Sequence, residues 1–100
     1  MKNRILKIED IVQIVKPLAL KYNISEVYVF GSYARGEADD ESDVDILVIG
    51  GANFIKKHVF SFGDELSIAF DKPVDAYEIS EIKEESGLYR AIMKDRVRVA

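Results

Sequence analysis

Three aspartates and a Gly-Ser pair are the residues of this 100-residue chain whose types and spacing favour chemistry. Asp43 and Asp45 are separated by one residue at the beginning of an apolar run, and side chains two apart in a strand project from the same face. Two carboxylates on one face can hold a hard cation such as Mg²⁺, which often shares protein carboxylates with nucleotide phosphates. Gly31 and Ser32 precede them by a ten-residue segment and offer backbone donors to a phosphate. The pattern therefore indicates a combined metal and phosphate site.

The predicted elements around this motif bring a third aspartate to the same place. Apolar, β-rich runs at 27–30 and 46–49 put the motif between two strands, and Asp75 lies at the beginning of a third strand, Val74–Ile79. A helix between the second and third strands implies a parallel, right-handed crossover. The aspartates then meet at one sheet edge, and antiparallel pairing of the first two strands brings Gly31 and Ser32 there as well. Three gathered carboxylates suit a two-metal site with ions about 3.5–4 Å apart.

The motif-bearing segment GSYARGEADDESDVDILV, residues 31–48, resembles the nucleotidyltransferase superfamily that includes DNA polymerase beta, most closely its minimal nucleotidyltransferase branch. The resemblance implies the polymerase beta-like fold, a small mixed β-sheet with helices packed on it, of the α/β (α+β) class. It also implies that Gly31 and Ser32 hold a nucleoside triphosphate, that Asp43 and Asp45 bind metal ions, and that Asp75 completes the catalytic triad. Asp75 is then also the expected general base.

The same resemblance implies the cofactor, the reaction and the partner. Members of the branch transfer a nucleoside monophosphate, and we expect AMP from ATP, two Mg²⁺ ions with Mn²⁺ as an alternative, and a hydroxyl of a protein acceptor. Some members resemble antitoxins paired with a HEPN-type toxin, so a HEPN partner is expected. Three alternatives stay open: another nucleoside triphosphate as donor, a small hydroxylated molecule as acceptor, and a non-catalytic module that binds a nucleotide or a partner.

Arg35 has two interpretations that the sequence leaves open. It is the cation nearest the Gly-Ser pair and can clamp phosphate oxygens in a bidentate way. It can equally pair with the acidic segment that follows it, whose charges are most simply solvated. Ser42 either orients the following aspartates or makes a plain turn. Tyr33 either stacks on a ligand or packs, while His58 is expected mid-helix at the surface, and Glu78 on the opposite strand face from Asp75.

Composition and length limit the class of protein. The formal net charge of −4 at pH 7 argues against binding along a nucleic-acid backbone, which needs a basic stripe. No apolar stretch approaches the roughly 20 residues of a membrane span, no secretory pattern begins the chain, and there is no cysteine. We expect a single domain over residues 1–100 in the cytoplasm. Exposed apolar residues near the chain ends are compatible with a partner interface or a homo-oligomer.

Periodicity predicts the remaining elements. Apolar residues three or four apart favour a first helix over Ile8–Tyr22, which Pro17 should kink or weaken. A first strand is expected around Glu26–Phe30. The crossover helix is expected over Phe54–Phe70, with Ile55 and Ala69 on its apolar face. A last helix is expected over Glu84–Met93 with Leu88, Ala91 and Ile92 inward, followed by a short edge strand over Arg96–Val99.

Overall fold

The computed structural model describes residues 5–100. In chain order the helices and strands are α1 (Ile8–Lys21), β1 (Ile24–Phe30), α2 (Ser32–Arg35), β2 (Val44–Gly50), α3 (His58–Phe70), β3 (Val74–Glu78), α4 (Gly87–Asp95) and β4 (Val97–Arg98), with one turn of 3₁₀ helix at Ile79–Glu81.

The four strands form one mixed sheet in the order β3-β2-β1-β4. β1 pairs antiparallel with β2 and with β4, while β2 and β3 are parallel. The parallel pair is joined through α3, as a crossover connection requires. This arrangement confirms the predicted fold class and the predicted short edge strand at the end of the chain.

The two faces of the sheet are covered by different helices. One face packs against α1 and α3 in a core that includes Val29, Ile46 and Phe62, all fully buried. The other face carries a smaller cluster around Phe30 and Leu47, closed by Ile92 of α4. Because side chains alternate along a strand, Asp45 projects on the α4 side, two residues before Leu47.

Pro17 does not end α1, which runs unbroken through it from Ile8 to Lys21. The helix buries Ile11, Val15 and Ala19 against the sheet, whereas Pro17 is exposed. The carbonyl of Gln13 that loses its donor to proline lies on the same exposed side, where water can satisfy it. The predicted bounds of the first helix are therefore confirmed to within one residue, and Pro17 does not interrupt the helix.

Two helical faces differ from the prediction. α3 begins at His58, four residues later than expected, so Ile55 precedes the helix and is 51% exposed. Ala69 is also exposed, because the buried stripe of α3 ends on Phe70 instead.

α4 was expected to bury three residues and buries one. Ile92 is fully buried, whereas Leu88 is 38% exposed and Ala91 is exposed. The physical reason is that the nine-residue α4 meets the sheet through its second half, where Ile92 and Met93 join the smaller cluster.

No helix within residues 5–100 is long and apolar enough to cross a lipid bilayer.

Candidate functional site

Strand pairing places Asp45 between the end of β1 and the beginning of β3. Phe30 is the register partner of Asp45 across the antiparallel pair, and Asp75 is its register partner across the parallel pair. Gly31 directly follows Phe30, and Asp43 directly precedes β2. The sheet therefore brings Gly31, Asp45 and Asp75 to one edge, as the sequence predicted.

Gly31 lies so close to Asp45 that a side chain at its position would displace the Asp45 carboxylate. Its φ of 74° lies in the left-handed region, and a Cβ atom would stand 2.4 Å from Oδ2 of Asp45. Ser32 then begins α2, a single helical turn that ends with Gly36 in the left-handed conformation. The first N–H groups of a helix have no partner inside it, which leaves donors beside the Asp45 carboxylate. This short helix was not predicted; the glycines that flank residues 32–35 were its only local signal.

The carboxylates repel one another at this edge. The pKa of Asp45 is raised from an ordinary 3.8 to about 6, first by burial and then by the negative charges of Asp75 and Asp43. The Arg35 guanidinium acts in the opposite direction and lowers the pKa of Asp45. Asp43 and Asp75 are exposed, and Asp45 is partly buried. A cation bound among these carboxylates would reduce their mutual repulsion, which destabilises the folded chain when no cation is bound.

The donor chemistry of this edge fits a hard divalent ion. All three candidate ligands are carboxylates, and magnesium commonly takes one or two carboxylates together with substrate phosphates. Across residues 5–100, however, no three acidic, histidine or cysteine side chains converge as a ready metal-binding group. The backbone positions the candidate ligands on adjacent strands, while their side chains are not drawn around one point.

Arg35 engages two carboxylates on opposite sides. Its Nε donates to Glu37 at 2.9 Å, and its Nη1 donates to Asp95 at 2.8 Å. The pairing with Glu37 agrees with one of the two interpretations of Arg35, namely that it pairs with the acidic segment. The contact with Asp95 at the end of α4 was not predicted, because 60 residues separate the partners.

The acidic loop before Asp43 is organised by local hydrogen bonds and by a buried lysine. Ser42 Oγ accepts from the N–H of Asp39 at 2.9 Å and donates to its carboxylate at 3.1 Å, so Ser42 makes a plain turn. Nζ of Lys72, a residue only 4% exposed, donates to the carbonyl oxygen of Asp40 at 3.3 Å. Sequence reasoning missed Lys72, since a lysine beside a proline ordinarily suggests a solvated turn.

Tyr77 is a second residue that the sequence reasoning missed. It follows Asp75 by two positions on the same strand face, and its ring lies 5.8 Å from that of Phe30. Burial, and then the charges of Asp75 and Asp45, raise the pKa of Tyr77. Its β-strand spacing from Asp75 was the available signal.

The other aromatic and acidic candidates have structural roles. Tyr33 is buried in the main core, and its hydroxyl accepts from the N–H of Leu6 at 3.4 Å. His58 is the first residue of α3, not mid-helix as expected, and its ring packs edge-on to Tyr22. Glu78 is buried and accepts from the N–H of Ser80.

Cavity size does not mark this site. A cavity of about 440 Å³ lies between α1 and β4, lined by Val12, Lys16 and the last three residues. None of the candidate carboxylates lines this cavity.

Residues 8–99 match the family described as the nucleotidyltransferase domain. A protein of Methanocaldococcus jannaschii, named a putative protein adenylyltransferase, is 30% identical to this chain over 92 residues, which cover 92% of this chain and 91% of that protein.

Two solved structures share the fold. One is a toxin-antitoxin with AMP-PNP, with a TM-score of 0.73, 21% identity, and coverage of 95% of this chain and 73% of that one. The other is a tri-AMPylated HEPN toxin of Shewanella oneidensis in complex with an MNT antitoxin, with a TM-score of 0.64, 17% identity, and coverage of 93% and 68%. At these identities the likeness is one of fold.

Proposed function

Because this chain belongs to the nucleotidyltransferase domain family, we propose that it transfers AMP from ATP to a hydroxyl group of a protein acceptor. The acceptor is a HEPN-type toxin, and this chain is its antitoxin. The name of the Methanocaldococcus jannaschii relative supports a protein acceptor. The AMPylated HEPN toxin in the Shewanella oneidensis complex supports the partner. The observation that carries the proposal is that Asp45 and Asp75 are register partners on adjacent parallel strands, with Gly31 close to the Asp45 carboxylate.

In this proposal the three aspartates hold magnesium, and the Gly-Ser turn holds the triphosphate. Asp43, Asp45 and Asp75 bind two Mg²⁺ ions, for which Mn²⁺ is an alternative. When bound, the ions would neutralise charge on the phosphates and would lower the pKa of the acceptor hydroxyl. The raised pKa of Asp45 supports this assignment, because a site that disfavours its own ionised carboxylate gains most from a bound cation.

The chain itself orients the donor and receives the proton. Backbone N–H groups at Gly31 and Ser32 bind phosphate oxygens, and the missing side chain of Gly31 lets the phosphates approach Asp45. The acceptor oxygen attacks the α-phosphorus in line with the leaving pyrophosphate, so one P–O bond forms and one breaks. Asp75 takes the hydroxyl proton as general base, and it is exposed at the edge where an acceptor can reach it.

Label transfer from α-phosphate-labelled ATP tests this function. The protein is incubated with Mg²⁺ and with the product of the adjacent gene, and intact mass locates the label. We expect one or more AMP groups on the neighbour. The Asp43→Asn, Asp45→Asn double variant should transfer nothing while its circular dichroism spectrum stays that of the parent.

Two results would contradict the proposal. If the double variant transferred AMP as well as the parent does, Asp43 and Asp45 would have no role in the reaction. No label on any protein, despite measurable binding of Mg-ATP, would instead favour a small hydroxylated acceptor or a non-catalytic binding module.

A further inference from the structure

The last residue of α4 is attached to the candidate nucleotide site. Asp95 accepts a hydrogen bond from Nη1 of Arg35 at 2.8 Å. Its side chain is only 12% exposed, against 43% for Arg35, so water competes weakly for the Asp95 carboxylate. The pair therefore joins α4 to α2, two elements that the fold places at the same end of the sheet.

The stability of α4 does not explain an aspartate at this position. A negative charge at a helix C-terminus interacts unfavourably with the helix dipole, and a basic residue such as the neighbouring Lys94 is the usual choice. The end of the helix is already closed by the backbone, since the N–H of Arg96 donates to the carbonyl of Ile92 at 2.9 Å. The contact with Arg35 is what Asp95 contributes.

Arg35 lies near the proposed phosphate-binding turn and has guanidinium N–H donors that its ion pairs do not use. It ends α2, three residues after Ser32, and its charge acts on the Asp45 carboxylate. Its ion pairs with Glu37 and Asp95 use two of the five N–H donors of a guanidinium. No other residue between 5 and 100 accepts from the remaining donors.

We propose that Asp95 is a positioning residue for the nucleotide: it holds Arg35 beside Asp45 so that the remaining guanidinium donors bind the triphosphate. This inference rests on the proposed function, because it takes ATP as the ligand of the site. The inference makes α4 part of the nucleotide site. Asp95, the last residue of α4, acts on that site through Arg35.

Calorimetric binding of Mg-ATP to four proteins tests the inference: the parent, Asp95→Asn, Arg35→Gln and the double variant. We expect Asp95→Asn to weaken binding about tenfold, the order of one charge-assisted hydrogen bond. In the Arg35→Gln background the same change should have almost no further effect, because a residue that acts through Arg35 has nothing left to position. Asp64→Asn removes an exposed carboxylate from α3, on the other face of the sheet, and should bind Mg-ATP as the parent does.

Two further readouts separate positioning from a structural role. In the transfer assay Asp95→Asn should raise KM for ATP with little change in kcat, and Asp95→Glu, which keeps the charge, should recover most of the affinity. Asp95→Asn removes one partner of a largely shielded ion pair and should lower the urea midpoint modestly, so circular dichroism without urea checks that the variant is folded when Mg-ATP is titrated.

The inference is overturned if Asp95→Asn binds Mg-ATP as tightly as the parent, or if its effect adds fully to that of Arg35→Gln. In both cases a parent that binds Mg-ATP leaves the proposed function intact. A parent that neither binds Mg-ATP nor transfers a label overturns the inference and the proposed function together.

Discussion

Asp45→Asn should make the metal-free protein more stable at neutral pH while it abolishes nucleotidyl transfer. The folded chain raises the pKa of Asp45 from 3.8 to about 6, chiefly by burial. A carboxyl group with a higher pKa in the folded state binds its proton more tightly there than in the unfolded chain. The contribution of Asp45 to the free energy of unfolding is therefore fully present below about pH 4 and is lost as the pH rises through about 6. Asparagine carries no charge, so the free energy of unfolding of the variant does not fall in this way as the pH rises.

The size of the gain follows from the pKa of Asp45. Each pKa unit corresponds to about 1.4 kcal/mol, so the rise from 3.8 to about 6 sets an upper limit of ~3 kcal/mol. Part of the carboxylate keeps its contact with water, which screens the repulsion from Asp43 and Asp75, and we therefore expect a gain of about 1–2 kcal/mol. For a chain of 100 residues this corresponds to a rise in melting temperature of at least about 5 °C.

Urea unfolding of both proteins in EDTA, at pH 4 and at pH 8, measures this difference. We expect the midpoint of Asp45→Asn to exceed that of the parent by about 1 M urea at pH 8 and by much less at pH 4. Mg²⁺ in place of EDTA should then stabilise the parent and leave the variant unchanged, because the ion binds the folded parent alone. Asp64→Asn is the control and should change the free energy of unfolding by less than about 0.5 kcal/mol.

An equal gain at both pH values would refute the reasoning, since it would mean that the ionisation of Asp45 is not the cause. A loss of stability at pH 8 would mean that the carboxylate makes a stabilising contact in the folded state.

Two other matched pairs of variants test the packing around the site. Gly31→Ala should abolish transfer and lower the free energy of unfolding by at least about 2 kcal/mol, because its Cβ would collide with Asp45 Oδ2 at 2.4 Å. Gly36→Ala changes a residue in the ordinary left-handed conformation, φ 72° and ψ 23°, with nothing within 4 Å of a Cβ atom, so its urea midpoint should fall less and it should keep transfer activity. Equal effects of the two variants would contradict both the collision and the strain of the Gly31 backbone, φ 74° and ψ −151°. Phe62→Ala should cost about 3–5 kcal/mol in denaturant unfolding, because the side chain is fully buried. Phe60→Ala, at 74% exposure, should stay within about 0.5 kcal/mol, and a similar cost for both would contradict the placement of α3.

The order and type of most elements were predictable because their signals are local. Apolar residues three or four apart predicted α1 and α3, and β-rich runs predicted the strands to within two residues. The assignment of residues 1–100 to a single domain and the cytoplasmic location stay predictions.

The errors came where a pattern fits more than one packing. Ile55 continues the apolar spacing of α3, but the helix begins only at His58. Leu88 and Ala91 have inward spacing on α4, yet a short helix that meets the sheet through one turn can bury only Ile92.

The candidate site residues and the sheet edge at which they meet were accessible from the sequence. Carboxylates two apart at the beginning of a strand share a face, which pairs Asp43 with Asp45, and the crossover rule aligns the beginnings of parallel strands, which brings Asp75, the third carboxylate implied by the family resemblance, to the same edge. The roles proposed for them still await the variants described above.

The environment of those residues could not be predicted before the fold was known. The pairing of Arg35 with Asp95, the hydrogen bond from Lys72 to the acidic loop and the packing of Tyr77 against Phe30 depend on how distant segments of the chain pack together. Tertiary packing also partly buries Asp45 and, together with the charges of Asp75 and Asp43, raises its pKa. Such contacts join residues tens of positions apart, and the periodicity of a single segment contains no information about which distant segment will pack against it.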